Sequence, residues 1–342
     1  MRHIYPGAMH IHTKYSDGTG SIKEIASAAK KAGLKWIIIT DHNNLTGLKN
    51  SEEGWYNGVA VIIGEEISPE KSDHYLALGI KEEISPDIGT ENYINQVNKQ
   101  GGIGFIAHPD ESLTRKNNHE PLRWTDWDIK GFTGIEIWNH LSDLVDNYSH
   151  KKALAWYFKR NNMLSGPTPK VLSWWDSLNN ETGSIIPAVG GVDIHAFNYK
   201  YFGINLQIFP YYDSLKTVSN VLYLDNKLPD DFNEAKRQIL IALKGGKNIV
   251  INRVWSKSYP LFYIENSQKK AYPGESINLD GSTKAVVEIS KKAKIRLVHN
   301  GNVVMENDGH KLVFDDLKPG KCRVEVYFKN RPWIFTNPIH IS

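Results

Sequence analysis

Histidines 10 and 12 stand in the run His10-Ile11-His12-Thr13-Lys14-Tyr15-Ser16-Asp17-Gly18. Two histidines at i and i+2 on a strand point to the same face. Imidazole is the commonest side-chain metal ligand, so the pair is half of a metal site. Residues of the same kind recur at the ends of later apolar runs. Asp41 and His42 follow Trp36 to Thr40, Glu66 follows Val59 to Ile63, and His74 opens the run to Ile80. His108 follows Gly102 to Ala107, and Asp193 and His195 follow Ile185 to Gly191. Six of the 13 histidines fall in this set, and of the others only His140 also sits at a strand end. Any one of these residues could be a satisfied polar group, and Asp41 alone could be a helix N-cap. Six strand ends sharing one donor chemistry point instead to a common site.

The donors are imidazole nitrogens and carboxylate oxygens, with no thiolate, which suits Zn, Mn or Fe as divalent ions. Nine donors (His10, His12, Asp17, His42, Glu66, His74, His108, Asp193 and His195) exceed what one ion takes. Two or three divalent metal ions are expected, with Glu66 as a bridging carboxylate. Clustered ions generate hydroxide near neutral pH and clamp both the attacking and the leaving oxygen. Gly190 and Gly191 would let the backbone pass close to them.

These residues need elements that converge on one point, and the chain supplies alternating strand and helix patterns. Ala8 to His12, Trp36 to Thr40, Val59 to Ile63, His74 to Ile80, Gly102 to Ala107, Gly134 to Trp138, Ile185 to Val189 and Asn248 to Asn252 read as strands. Ser21 to Ala32 reads as a helix, with Ser21 as N-cap, Glu24 three residues on and Gly33 as the stop. Thr90 to Gln100, Leu172 to Asn179 and Pro229 to Leu243 read as further helices. Such alternation predicts parallel βα units closing into an α/β barrel, with the site at the C-terminal ends of the strands.

From about Ser256 the texture changes to short alternating strands between Pro-Gly turns, such as Lys284 to Ile289, Lys294 to His299 and Cys322 to Phe328. The expected organisation is a barrel over residues 1–255 and a small antiparallel β-sandwich of immunoglobulin-like type over 256–342. The 342 residues, 40% hydrophobic and 23% charged, describe a globular chain with a large core. A net charge of +3 gives no reason to invoke nucleic acid or a membrane surface. The single Cys322 excludes an internal disulfide, and no run approaches a membrane span of about 18 apolar residues. Without an apolar leader between Met1 and Met9, a cytoplasmic location is expected.

The segments HIHTKYSDG, ITDHN, GEE, HYLALG, AHP and GGVDIHA resemble the motifs of the PHP (polymerase and histidinol phosphatase) superfamily of metal-dependent phosphoesterases, over about residues 5 to 255. The resemblance implies a distorted (β/α)7 barrel holding up to three metals. By motif, His10, His12, Glu66 and Asp193 would hold the first, Glu66, His74 and His108 the second, and Asp17, His42 and His195 the third. Asp17 matches the Asp found in many members where others have His. Trp175-Asp176-Ser177-Leu178 and the stretch Trp333 to Ile339 resemble the carbamate-hydrolase-type branch, whose members also carry a C-terminal β module.

Around this set, Trp138, Asn139 and His140 end a strand and should face the cavity mouth, with Asn139 and His140 as substrate contacts. Arg253 follows the last barrel strand and is the candidate for gripping a phosphate and stabilising charge, since a guanidinium pairs with it bidentately. Arg115 and Arg123 read as solvated surface, and the polar loop from Pro109 to Trp127 suits a lid. Trp156-Tyr157-Phe158 reads as helix packing, and Asp41 as a residue that supports ligands rather than one of them.

The expected function is hydrolysis of a small-molecule phosphate ester by hydroxide held on a di- or trinuclear cluster. Glu66 would bridge, His195 would help protonate the leaving group, and Arg253 would stabilise charge. Two alternatives use other logic. One keeps the metals but cleaves a carbamate, carboxylic ester or amide, in an apolar cavity without a cationic clamp. The other is a binding protein whose β module engages a polymer or partner while the barrel is inert. A nuclease role lacks the basic groove it would need.

Overall fold

The computed structural model describes residues 2–111, 122–147, 164–201, 204–256 and 258–342, without the side chains of 199–201 and 204–206. Arg115, the run Trp156 to Phe158 and most of the proposed lid lie outside the described residues.

The first strand, β1 (His3–Ala8), pairs in parallel with β2 (Trp36–His42), and β2 with β3 (Val59–Ile67). β4 (Tyr75–Leu78) then runs antiparallel to β3 and to β5 (Ile103–Ile106). Parallel pairing resumes from β5 to β6 (Gly134–Asn139) and β7 (Ala188–Gly191). The expected run of parallel units is therefore interrupted. Between Ile67 and Tyr75 the chain is too short for a parallel crossover, which needs a dozen or more residues, so β4 returns antiparallel.

A strand that the sequence reading overlooked, β8 (Val218–Leu224), pairs antiparallel with the other edge of β1 and with β9 (Asn248–Asn252). Beyond β1 and β7, the Val192 N–H donates to the Met9 carbonyl and the His12 N–H to the Ile194 carbonyl, each at 3.0 Å. These bonds tie the segment carrying His10 and His12 to the one carrying Asp193 and His195.

Helices cover the sheet where their periodicity requires. α1 (Ile22–Lys31) starts at a capping box in which Ser21 and Glu24 satisfy each other's backbone N–H, and it buries Ile22, Ile25, Ala26 and Ala29. α2 (Thr90–Lys99) buries Tyr93, Ile94 and Val97. α3 (His140–Asp146) follows β6 directly, and α4 (Pro169–Glu181) and α5 (Phe232–Lys244) complete the set of longer helices.

The C-terminal part is antiparallel apart from one short parallel pairing, of Ser276–Ile277 with Ile339–Ile341. β10 (Leu261–Glu265) pairs with the first half of β11 (Lys284–His299), and β12 (Asn302–Phe314) runs along most of β11. β13 (Gly320–Phe328) takes the second half of β11, and β14 (Arg331–Thr336) and β15 (Ile339–Ile341) complete the group. The boundary expected at 255/256 falls between β9 and β10, yet the sheet does not stop there. β14 pairs with β9 (Ile249↔Thr336), and Val221, Ile249 and Ile251 share one apolar cluster with Phe262, Ile295, Val324 and Trp333. Asn337 completes the join: its Oδ1 accepts from the Ala188 N–H at 2.7 Å and its Nδ2 donates to the Ala188 carbonyl at 2.9 Å.

Candidate functional site

The site forms where β1, β2, β3, β5 and β7 end. The chain turns abruptly there, and three of its residues take left-handed backbone conformations: His10 (φ 65°), His108 (φ 27°) and Asp193 (φ 48°). Side chains other than glycine enter that region at a cost of order 1–3 kcal/mol each, and such strain gathers at functional sites. The same three residues form one of four groups whose donor atoms lie within 4.8 Å of one another. The other groups are His10, His12 and Glu66; Glu66, His74 and His108; and His12, Asp17, His42 and His195. All nine residues expected as ligands are thus brought together.

Glu66 is the centre, only 1% exposed. Its Oε1 faces His74 Nδ1 at 2.9 Å and His108 Nε2 at 3.3 Å. Its Oε2 faces His10 Nε2 at 3.3 Å, His12 Nε2 at 3.4 Å and His42 Nδ1 at 2.9 Å. Asp193 Oδ1 lies 3.5 Å from His10 Nε2 and 3.3 Å from His12 Nε2. Asp17, exposed at the rim, reaches His195 Nε2 at 3.1 Å and His42 Nε2 at 3.6 Å. The imidazoles stack: His12 lies 4.3 Å from His42 and 4.1 Å from His195, and Phe197 covers the far face of His195 at 5.0 Å.

Electrostatics keep the carboxylates charged. Burial opposes ionisation of Glu66, but His10, His42 and His74 outweigh it and hold its pKa well below the usual range. Asp193 is held low against burial by His10 and His12, and Asp17 against burial by His195. Burial also opposes charge on His42 and His108, yet Glu66 with Asp17, and Glu66 with Glu111, raise them to about 9. His12 goes the other way, pushed down to about 3 by burial and by His195.

These residues fit divalent ions. The buried His10 Nε2 and both His12 ring nitrogens have no hydrogen-bond partner, although carboxylate oxygens stand near them. Donors that face one another without bonding are what a coordinated cation would satisfy.

Other residues hold the ligands. Asp41 joins none of the four groups. It accepts from the Thr13 N–H at 2.7 Å, Thr13 Oγ1 at 2.8 Å and Ser16 Oγ at 2.7 Å, pinning the loop that carries Asp17. Glu136, which the sequence reading missed, is buried behind His10 with its Oε1 2.9 Å from His10 Nδ1. Its signal was a lone carboxylate inside the apolar strand GIEIW. Asn139 caps α3 through the Ser142 N–H and donates to Glu136 at 2.9 Å and to Asp193 at 3.2 Å.

The cluster opens on a cavity of about 690 Å³. Asp17, His42, Glu66, His74, His108, Asp193 and His195 form its floor, and Leu122, Leu141, Val145, Phe197, Ile208 and Phe209 much of its wall. No Lys or Arg lines it among the described residues. Two expectations shift here. Arg253 does not line the cavity: its Nη2 donates to the Ala32 carbonyl at 2.8 Å, where a guanidinium satisfies the free end of α1. His140 is buried as the first residue of α3, and Asn139 spends its side chain on Glu136, Asp193 and the helix cap rather than on the cavity. Arg123 is exposed, and its Nε donates to the Glu111 carbonyl at 2.8 Å.

The segments resembling the carbamate-hydrolase-type branch lie away from this cavity. Asp176 of α4 pairs with Arg323 of β13 through two contacts of 2.7 Å, and Phe335 of β14 packs edge-on against Trp138 at 5.8 Å. They fasten the C-terminal strands to the first part of the chain.

The mixed sheet gathers imidazoles and carboxylates at its strand ends into four groups that could hold a metal ion. The chain belongs to the PHP domain family, which it matches over residues 8–162. It is 30% identical over 162 residues to the uncharacterized protein MJ1587 of Methanocaldococcus jannaschii, a match spanning 43% of this chain and 90% of that protein. Over 71 residues it is 39% identical to the DNA polymerase III subunit alpha of Borreliella burgdorferi, spanning 20% of this chain but 6% of that protein. A two-domain protein from Bacteroides vulgatus, described as containing a predicted PHP-like metal-dependent phosphoesterase, aligns over 98% of this chain and 95% of its own, at 14% identity and a TM-score of 0.43. Asp193 and His195 lie beyond the stretch that matches the family. Among the described residues no helix is long and apolar enough to cross a membrane.

Proposed function

We propose that this protein is a metal-dependent hydrolase of small-molecule phosphate esters, working with two or three divalent ions. The observation that carries the reading is Glu66, whose two oxygens face separate histidine groups at the floor of the cavity. His10, His12, Glu66 and Asp193 would hold one ion, Glu66, His74 and His108 a second, and Asp17, His42 and His195 a third. Bound there, the ions supply Lewis acidity and bring the pKa of water toward neutrality.

The chain's own residues do the rest. Glu66 fixes the spacing between groups, and Asp41 holds the Thr13 to Asp17 loop at the rim. Leu122, Leu141, Val145, Ile208 and Phe209 offer a substrate an apolar wall beside the floor. His195 takes a ligand role rather than a proton-donor role, because its Nδ1 meets the Asp193 carbonyl at 3.2 Å and its Nε2 meets Asp17 at 3.1 Å. With no Lys or Arg among the described lining residues, retention of an anionic phosphate depends on the ions.

That same wall supports a second reading, cleavage of a carbamate or carboxylic ester, which needs no cationic clamp. A panel of phosphomonoesters, phosphodiesters, aryl carbamates and carboxylic esters under Mn²⁺, Zn²⁺ and Fe²⁺, with metal content measured in parallel, decides between them. Phosphate-ester turnover that vanishes on chelation is expected. A metal-loaded protein that cleaves only carbamates or carboxylic esters overturns the first reading in favour of the second.

A further inference from the structure

We infer that Glu136 is the positioning residue of the metal site, setting the ring orientation of His10 and the path of the chain at His108. This rests on the metal reading above. Glu136 is 1% exposed in the middle of β6, and both its oxygens are committed to the site. Oε1 takes His10 Nδ1 at 2.9 Å. Oε2 accepts the His108 backbone N–H at 2.8 Å and Asn139 Nδ2 at 2.9 Å. One carboxylate therefore ties together the ends of β1, β5 and β6.

Two of the residues it holds, His10 and His108, are among those in left-handed conformations, which persist only when their surroundings over-determine them. The fourth strand end is shaped around it as well. A Cβ on Gly191 would lie 1.6 Å from Glu136 Oε1, so β7 can approach only as glycine. His10 places its outward nitrogen within hydrogen-bond distance of this carboxylate, which lies outside the four donor groups, whereas His108 Nδ1 meets the Leu122 carbonyl at 3.1 Å and stands 3.6 Å from Glu111. His10 Nε2 is thereby left to face Glu66 and Asp193, at 3.3 and 3.5 Å. A carboxylate behind a ligating imidazole fixes the tautomer and ring angle, and its loss weakens metal affinity about 10–100-fold.

Glu136→Gln preserves the shape but cannot accept at both ends, since its amide nitrogen opposes either His10 Nδ1–H or the His108 N–H. Glu136→Asp keeps the charge and shortens the reach. The test measures Zn²⁺ and Mn²⁺ affinity by chelator competition, and ion count by elemental analysis, on wild type and both variants, with circular dichroism reporting the fold. The expected result is a folded Glu136→Gln that binds its weakest-held ion 10–100-fold less tightly, with Glu136→Asp in between. A purely structural role would lower the melting temperature and leave metal affinity unchanged, which overturns the proposal. If Glu136→Gln does not fold, Glu136→Asp decides: wild-type affinity in that variant overturns the proposal, and a weakened site upholds it. A wild type that takes up no divalent ion brings down the metal reading itself, whereas equal loading of wild type and variants removes only this proposal.

Discussion

Replacing Glu66 with glutamine is the sharpest perturbation of the site, because the structure gives each oxygen a separate task. Oε1 serves His74 and His108, and Oε2 serves His10, His12 and His42. Glutamine retains one oxygen and replaces the other with an amide nitrogen, which donates but does not ligate. One group then loses its Glu66 oxygen: either His74 with His108, left with no carboxylate of the set, or His10 with His12, left with Asp193. Loss of an ion from a clustered site removes several kcal/mol of transition-state stabilisation. Taking about 4 kcal/mol, kcat/KM falls roughly 10³-fold. A second consequence appears without metal. Glu66 is the buried anion among histidines whose pKa it raises, and removing one partner of a buried charge pair costs about 3–5 kcal/mol. The metal-free variant should therefore melt well below metal-free wild type at pH 6. The assay combines elemental analysis, kcat/KM on the best substrate and thermal melting with and without chelator. A Glu66→Gln protein with the full wild-type ion count and kcat/KM within tenfold of wild type refutes the bridging role.

Three further outcomes follow from other residues. Burial raises the Glu65 carboxyl to about 7, and its Oε1 is buried without a partner. The folded state thus prefers the protonated form, and the stability this contributes is complete below about 4.5 and lost as pH rises through about 7. Glu65→Gln should leave the unfolding free energy unchanged at pH 4.5 and raise it at pH 8 by up to about 3 kcal/mol, read as a higher melting temperature in melts run across that range. Asp41→Ala removes three hydrogen bonds from the Thr13 to Ser16 loop, so about 2–4 kcal/mol of stability should go. Elemental analysis should then show the ion at Asp17, His42 and His195 released first. Asp176→Ala leaves the buried Arg323 with only Glu325 at 2.7 Å, and denaturant unfolding should show a loss of about 3 kcal/mol while metal affinity stays within threefold.

How much was legible depended on the range of the signal. Eight of the nine ligand candidates stand out in the sequence because they end, follow or open a short apolar run, with Asp17 a few residues beyond His12, and strand ends on one side of a sheet must converge. α1 could be read to the residue at its start, since Ser21 and Glu24 form a purely local capping box. Arg253 was misplaced for the opposite reason. Following a strand says nothing about where a long flexible side chain goes, and here the Ala32 carbonyl at the end of α1 captured it. β8 was overlooked because Val218 to Leu224 was set off by neither a helix pattern nor a chemical residue, and it exists by pairing with β1 and β9. The boundary at 256 followed a real change in composition, yet β14 crosses it to pair with β9.

Sequence alone determined the side chains on offer: imidazoles and carboxylates placed at or near strand ends, with Glu66 among them. Side-chain type and strand periodicity are properties of the local chain, and they suffice for that much. Tertiary structure alone decided which donors share a group, and that Glu136 stands behind His10. It also decided that much of the described cavity wall is apolar, that no Lys or Arg lines it among the described residues, and that the C-terminal strands continue the sheet of the first part. Those outcomes depend on contacts between residues more than a hundred positions apart, such as His10 with Glu136 and Ala188 with Asn337. No local propensity encodes such distances; only the packing of the whole chain brings these atoms within a hydrogen bond of each other.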